Sequence, residues 1–215
     1  MDRKNRKYLC LAAGLIVAFA LWTAAVVNLD VQAIGPEGTS VGLAGLNRCF
    51  HELTGVHMAL YVITDWLGLV PAAFGLGFAL LGLAQWIRRR KIRKVDGNIL
   101  ALGVFYIAVL ASYLFFESHV VNYRPVLIEG RLEASYPSST TMLVMCVMPT
   151  AVMQLNMRIH NEKLRRGIIF VIDAFILFMV LGRLISGVHW FSDIFGGALL
   201  SAGLVAAYRG SCKFG

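Results

Sequence analysis

The stretch GIIFVIDAFILFMVLGRLISGVHWFSDIFGGALLSAGLVAAY, residues 167–208, holds two apolar runs joined by a short turn that carries Arg183, His189 and Asp193. Residues 167–185 and 190–208 each approach the ~20 residues that a helix needs to cross about 30 Å of hydrocarbon. Asp193 follows His189 by four residues, so the two share a face of any helix that includes them.

Four more runs of this kind precede the pair, at about 8–28, 68–86, 99–116 and 139–157. Composition agrees: 58% of residues are hydrophobic, 15% are charged, and the mean hydropathy is +0.70. Soluble domains carry about 25% charged residues, so lipid is the solvent this chain is built for. The expected fold is all-α, a single membrane domain over residues 1–215 with six transmembrane helices. A cleaved signal peptide is the rival reading of the first run, because MDRKNRK is basic. The run is longer than a usual signal core and no small-residue cleavage site follows, so a retained signal-anchor helix is expected. Residues 30–66 mix apolar and polar residues at helical spacing, which predicts one or two interfacial helices. Tyr61 and Trp66 suit the headgroup level, and Asp65 reads as interfacial.

The net charge of +8 is placed, not spread. Sixteen of the 20 Lys and Arg residues lie before the first run, in RRRKIRK (88–94), after the fourth run, or at the C-terminus. The positive-inside rule puts all four segments in the cytoplasm, and six spans require both termini on one side. RRRKIRK is a topology determinant, with attraction to anionic lipid as a secondary effect. The bilayer is the expected partner and nucleic acid is not; the oligomeric state is left open. Cys10, Cys49, Cys146 and Cys212 show no metal-type spacing, so neither a disulfide nor a zinc site is expected. His51, His57 and His160 are given no role.

Arg48, Arg124, Arg131 and Arg183 remain for the outer side. Arg124 follows the third run in ESHVVNYRP, where Pro125 stops the helix. YPSSTT opens the fourth run, with Ser138 or Ser139 as a helix cap and free N–H groups beyond it, an arrangement that binds anions. Topology brings these segments together with the 183–193 turn at the outer surface. Two arginines, a helix N-terminus and a His–Asp pair there make a phosphate site with a candidate nucleophile. Taken singly, each has a plainer reading: a capped interfacial histidine, a snorkelling arginine, a common helix start. Their convergence outweighs those readings. Asp173 lies within a span, where ionisable residues are functional suspects, but about one and a half turns from its cytoplasmic end.

The three segments resemble the type 2 phosphatidic acid phosphatase superfamily, related in its core to the vanadium haloperoxidases. That family's signature is Lys, six residues, Arg-Pro; then Pro-Ser-Gly-His; then Ser-Arg, five residues, His, three residues, Asp. GRLISGVHWFSD keeps Arg183, His189 and Asp193 in register, with Gly182 in the serine place. Arg124 and Pro125 keep the first part, and Pro137 and Ser138 the second, with Ser139 in the glycine place. The resemblance implies that His189 attacks phosphorus, that Asp193 orients it, and that Arg124, Arg183, Ser138 and loop N–H groups hold phosphate oxygens. It implies no cofactor and no metal.

Two departures bear on activity. Glu117 stands where the family has Lys; two helical turns would place it on the face of Arg124, where a carboxylate repels phosphate, greets a cationic headgroup, or donates a proton. Thr140 stands where the family has the His that protonates the leaving oxygen, and threonine cannot do so near neutral pH. General acid catalysis supplies about 10² to 10⁴, so the expectation is reduced or altered activity with a preference for a diphosphate, whose leaving group needs no proton. The functional expectation is a phosphatase for a lipid phosphate or prenyl diphosphate. The alternatives are a non-catalytic relative that senses anionic phospholipid, or a lipid phosphotransferase. A transporter would want discontinuous helices and a polar midplane site, which the spans lack apart from Asp173.

Overall fold

The computed structural model describes residues 2–212 and 214. They form eight α-helices: α1 (Arg3–Asn28), α2 (Ala44–Thr54), α3 (Met58–Leu67), α4 (Leu69–Arg89), α5 (Gly97–Ser118), α6 (Ser139–Arg158), α7 (Glu162–Ile185) and α8 (Phe191–Ser211). Six segments are long and apolar enough to cross a membrane: α1, α3 with α4, α5, α6, α7 and α8. The chain is a six-span, all-α membrane protein.

The second span departs from the sequence reading. It begins at Met58 and runs 32 residues to Arg89, since Gly68 keeps right-handed helical geometry (φ −59°, ψ −19°) between α3 and α4. Only α2 stands apart from the spans. The polar positions of α3 suggested an interfacial helix, but they face α7. At the other end α1, α5 and α7 outrun their apolar cores, because helical hydrogen bonding continues where the basic segments meet water. Asn161 caps α7 by accepting from Leu164 N at 3.1 Å, and Glu162 pairs with Arg165 and Arg166 at 3.5 and 3.2 Å.

Helices α6 and α8 form the centre; α1 lies along α8, and α4, α5 and α7 surround α6. Between helices in lipid no hydrophobic force acts, so close packing of small residues matters. Gly196, Gly203 and Gly210 recur every seven residues on α8, and a Cβ on Gly203 would sit 2.8 Å from Ile16 Cδ1 of α1.

The basic segments share one end of the bundle. Asp96 pairs with Arg89 at 2.8 Å and lies 3.8 Å from Arg158, while Asn5 Nδ2 donates to Cys212 O at 3.3 Å. Lys213, counted with the same charge cluster, lies outside the described residues. The opposite end gathers α2, the start of α3, the α5–α6 loop and the α7–α8 turn. Asn47 of α2, fully buried, donates to Ser192 Oγ at 2.9 Å and accepts from Ser192 N at 3.0 Å, pinning α2 to the first turn of α8. The α5–α6 loop contains a small hairpin that apolar patterning did not reveal. Its bridges pair Tyr123 with Ala134 and Ile128 with Arg131. Glu129 and Gly130 at its tip both have positive φ (50° and 75°), as a tight primed turn requires.

Gly187 in the α7–α8 turn has φ +65°, and a Cβ there would fall 1.8 Å from Gly55 O. Next to it, Ser186 O accepts from His57 N at 2.9 Å, so the α2–α3 link is seated directly on this turn. Gly187→Ala is expected to cost about 1–3 kcal/mol, read as a lower thermal midpoint in detergent. Gly38→Ala is the control, with φ +75° but nothing within 4 Å. Equal losses in the two variants would contradict the close approach.

Candidate active site

Arg183 ends α7 and is 1% exposed; His189 is 3% exposed, Arg124 8% and Asp193 0%. All four are brought together, as the sequence predicted. Arg183 is enclosed by α3: its Nη1 donates to Thr64 Oγ1 and to Tyr61 O, both at 3.4 Å, and its Nη2 lies 3.6 Å from Asp65 Oδ1. The Tyr61 ring lies under this guanidinium at 4.8 Å and reaches that of Arg124 at 5.7 Å, cation–π contacts that hold both charges against one surface. Gly182 explains itself here, since a Cβ at that position would meet Thr64 Cγ2 at 2.8 Å. The Thr64 methyl group from α3 therefore fills the space that a side chain at 182 would need.

Arg124 stands in the loop, six residues past the end of α5. Glu117 and Arg124 do not share a helix face, because α5 stops at Ser118. The arginine is held instead by the hairpin: its N–H donates to Glu133 O at 3.0 Å, and its Nε lies 3.0 Å from Glu133 Oε2, at an angle outside hydrogen-bond geometry. Glu117 is exposed and lines a small cleft with Ser135, Pro137 and Ser139.

Arg124 Nη1 lies 3.1 Å from His189 Nε2. Guanidinium cannot accept a hydrogen bond, so Nε2 is the acceptor and the imidazole proton is on Nδ1. That nitrogen faces Asp193 Oδ2 at 3.7 Å, too long for a hydrogen bond, and it is buried without a partner, as is Arg183 Nε. Asp193 is fixed by Trp190 N at 2.9 Å, and by Asn122 Nδ2 and Ser192 Oγ at 3.3 Å each. Catalytic hydrogen bonds of this length commonly tighten only when substrate is bound. Burial, and then the charges of Arg124 and Arg183, hold the His189 pKa well below the usual 6.5. The imidazole is neutral, with a lone pair on Nε2.

Ser138 caps α6 as expected, but its hydroxyl is engaged there, accepting from Thr141 Oγ1 at 3.1 Å and Thr141 N at 3.5 Å. The N–H groups of Ser139 and Thr140 have no partner among the described residues. Both residues line an apolar cavity of about 500 Å³ between α4, α5 and α6, and Asp65 lines it with them.

Residues 112–211 match the PAP2 superfamily, a stretch from mid-α5 through α8 that includes every predicted site residue. Over that stretch this six-span membrane protein is similar to the PAP2 superfamily. Its fold is that of a transmembrane PAP2 type phosphatidylglycerolphosphate phosphatase from Bacillus subtilis, with a TM-score of 0.57 at 19% identity over 93% of this chain and 94% of that one. No curated protein matches the sequence. The PAP2 match begins downstream of α3, and the three-part signature likewise omits Tyr61, Thr64 and Asp65. An ionisable residue near the head of an apolar run was the available signal for Asp65; Glu133 offered none.

The depressed titration is measurable. In ¹³C-labelled protein, the His189 ring is expected to titrate well below pH 6.5, and Arg124→Gln should move it upward by removing one repelling charge. By linkage, a His with a depressed folded pKa contributes stability above its unfolded pKa of about 6.5. That contribution is lost as pH falls towards the folded value. A midpoint at or above 6.5 would contradict the arrangement.

Proposed function

We propose that this protein is a lipid phosphatase that works through a phosphohistidine on His189. The observation that carries the reading is the neutral, buried His189 with Nε2 presented to Arg124 Nη1 at 3.1 Å, beside a second buried arginine. A phosphate bridging Arg124 and Arg183 would take that Arg124 hydrogen bond and free the Nε2 lone pair. Nε2 would then form the N–P bond as the bond to the leaving oxygen breaks. Asp193, aligned with Nδ1, would stabilise the charge that develops on the ring. The two arginines and the free N–H groups of Ser139 and Thr140 supply the positive environment for the phosphoryl oxygens. Water attack on the N–P bond would return His189 and release phosphate.

The apolar cavity at Ser139 and Thr140 supports a lipid leaving group over a soluble one, and Thr140 favours a diphosphate over an alkyl monoester. The basic segments at the far end support a topology with both termini in the cytoplasm and this site at the outer face. Glu117 and Thr140 also suit a second reading, a receptor for anionic lipid that no longer turns over. Transfer of the phosphoryl group to another lipid is chemically close.

Phosphate release from purified protein with a prenyl diphosphate, phosphatidic acid and phosphatidylglycerol phosphate tests the reading. His189→Ala should abolish release, and Arg124→Ala or Arg183→Ala should lower it by about 10²-fold or more. Thr140→His should raise release from monoesters selectively, by up to about 10². No release from any lipid, with binding still dependent on both arginines, would establish the receptor instead.

A further inference from the structure

The mechanism leaves the leaving oxygen without a proton donor, because Thr140 stands in that place. We propose that Asp65 of α3 is the general acid of this site, a role that rests on the phosphatase reading. Two observations converge on it. Its carboxylate lies 3.6 Å from Arg183 Nη2, so it borders the position of a phosphate on that arginine. It also lines the apolar cavity together with Thr140 and Ser139, the cavity that on the phosphatase reading receives the lipid leaving group. Its side chain is 58% exposed and, among the described residues, makes no hydrogen bond that would have to break first. The other carboxylates are placed differently. Glu133 sits on Arg124 and does not line the cavity; Glu117 borders a separate cleft; Asp193 is committed to the His189 side.

An alkyl phosphate whose second ionisation lies at about 6 can bring the proton with it. The proton on a phosphate monoanion bound there passes to the Asp65 carboxylate. When the Nε2–P bond forms and the P–O bond breaks, the proton passes from Asp65 to the leaving oxygen, and a neutral lipid alcohol departs into the cavity. Water then bonds to phosphorus, its proton passing to the phosphoryl oxygens, as the N–P electron pair returns to Nε2. Inorganic phosphate leaves, and the next substrate monoanion brings Asp65 its proton.

The dependence on leaving group tests this. Wild type, Asp65→Asn and Asp65→Glu are compared on phosphatidic acid, which needs a protonated leaving oxygen, and on 4-nitrophenyl phosphate, which does not. Asp65→Asn should lose about 10²-fold or more on the lipid and change little on the nitrophenyl ester. Asp65→Glu should retain most activity on both, and adding Thr140→His to Asp65→Asn should restore the lipid reaction. Equal loss on both substrates, or a gain in kcat/KM on the lipid, would overturn the assignment. His189→Ala on 4-nitrophenyl phosphate separates the two readings. Persistent hydrolysis there removes the phosphatase mechanism itself, whereas loss there with equal effects of Asp65→Asn removes only Asp65.

Discussion

A guanidinium that is 1% exposed has to be surrounded by partners, and much of the architecture at the polar end follows from enclosing Arg183. Leaving a buried charge uncompensated costs several kcal/mol. Arg183 stands in the last turn of α7, and its partners come from α3: a carbonyl, a hydroxyl, an aromatic face and a carboxylate. That is why the second span starts a full ten residues before the apolar run does, at Met58. It also accounts for glycine at 182 and 187, where side chains would strike Thr64 and the Gly55 backbone respectively.

The same enclosure sets the state of His189. Two arginines beside a buried imidazole keep it neutral, and one of them fixes its tautomer by donating to Nε2. Asp193 is held rigidly by groups other than the histidine it faces. The result is an imidazole with a fixed orientation and a fixed tautomer. Both arginines lie next to partly exposed carboxylates, Asp65 and Glu133.

Spans and the convergent site were legible because each rests on a local rule. Twenty apolar residues imply a crossing, and counting crossings puts Arg124, Ser138 and His189 at one end. The i,i+4 spacing of His189 and Asp193 needed only helical geometry. Other features were not legible because they depend on tertiary context. Nothing local shows that the polar face of α3 meets α7 rather than headgroups. The hairpin at 123–134 has no alternating apolar pattern, and its turn uses Glu129 in a left-handed conformation that few sequences would advertise. The helix end at Ser118 lies seven residues before Pro125, so the breaker that was visible was not the one that acted. Ser138 was correctly placed as a cap, where its hydroxyl accepts from Thr141.

The most direct test is to find the phosphoryl group. Protein mixed with a ³²P-labelled lipid phosphate or diphosphate, quenched in base within milliseconds and digested, should yield one labelled peptide spanning His189, with the acid-labile, base-stable behaviour of a phosphohistidine. The label should be missing in His189→Ala. Turnover that proceeds with no labelled peptide, or with label on another residue, would contradict a covalent role for His189.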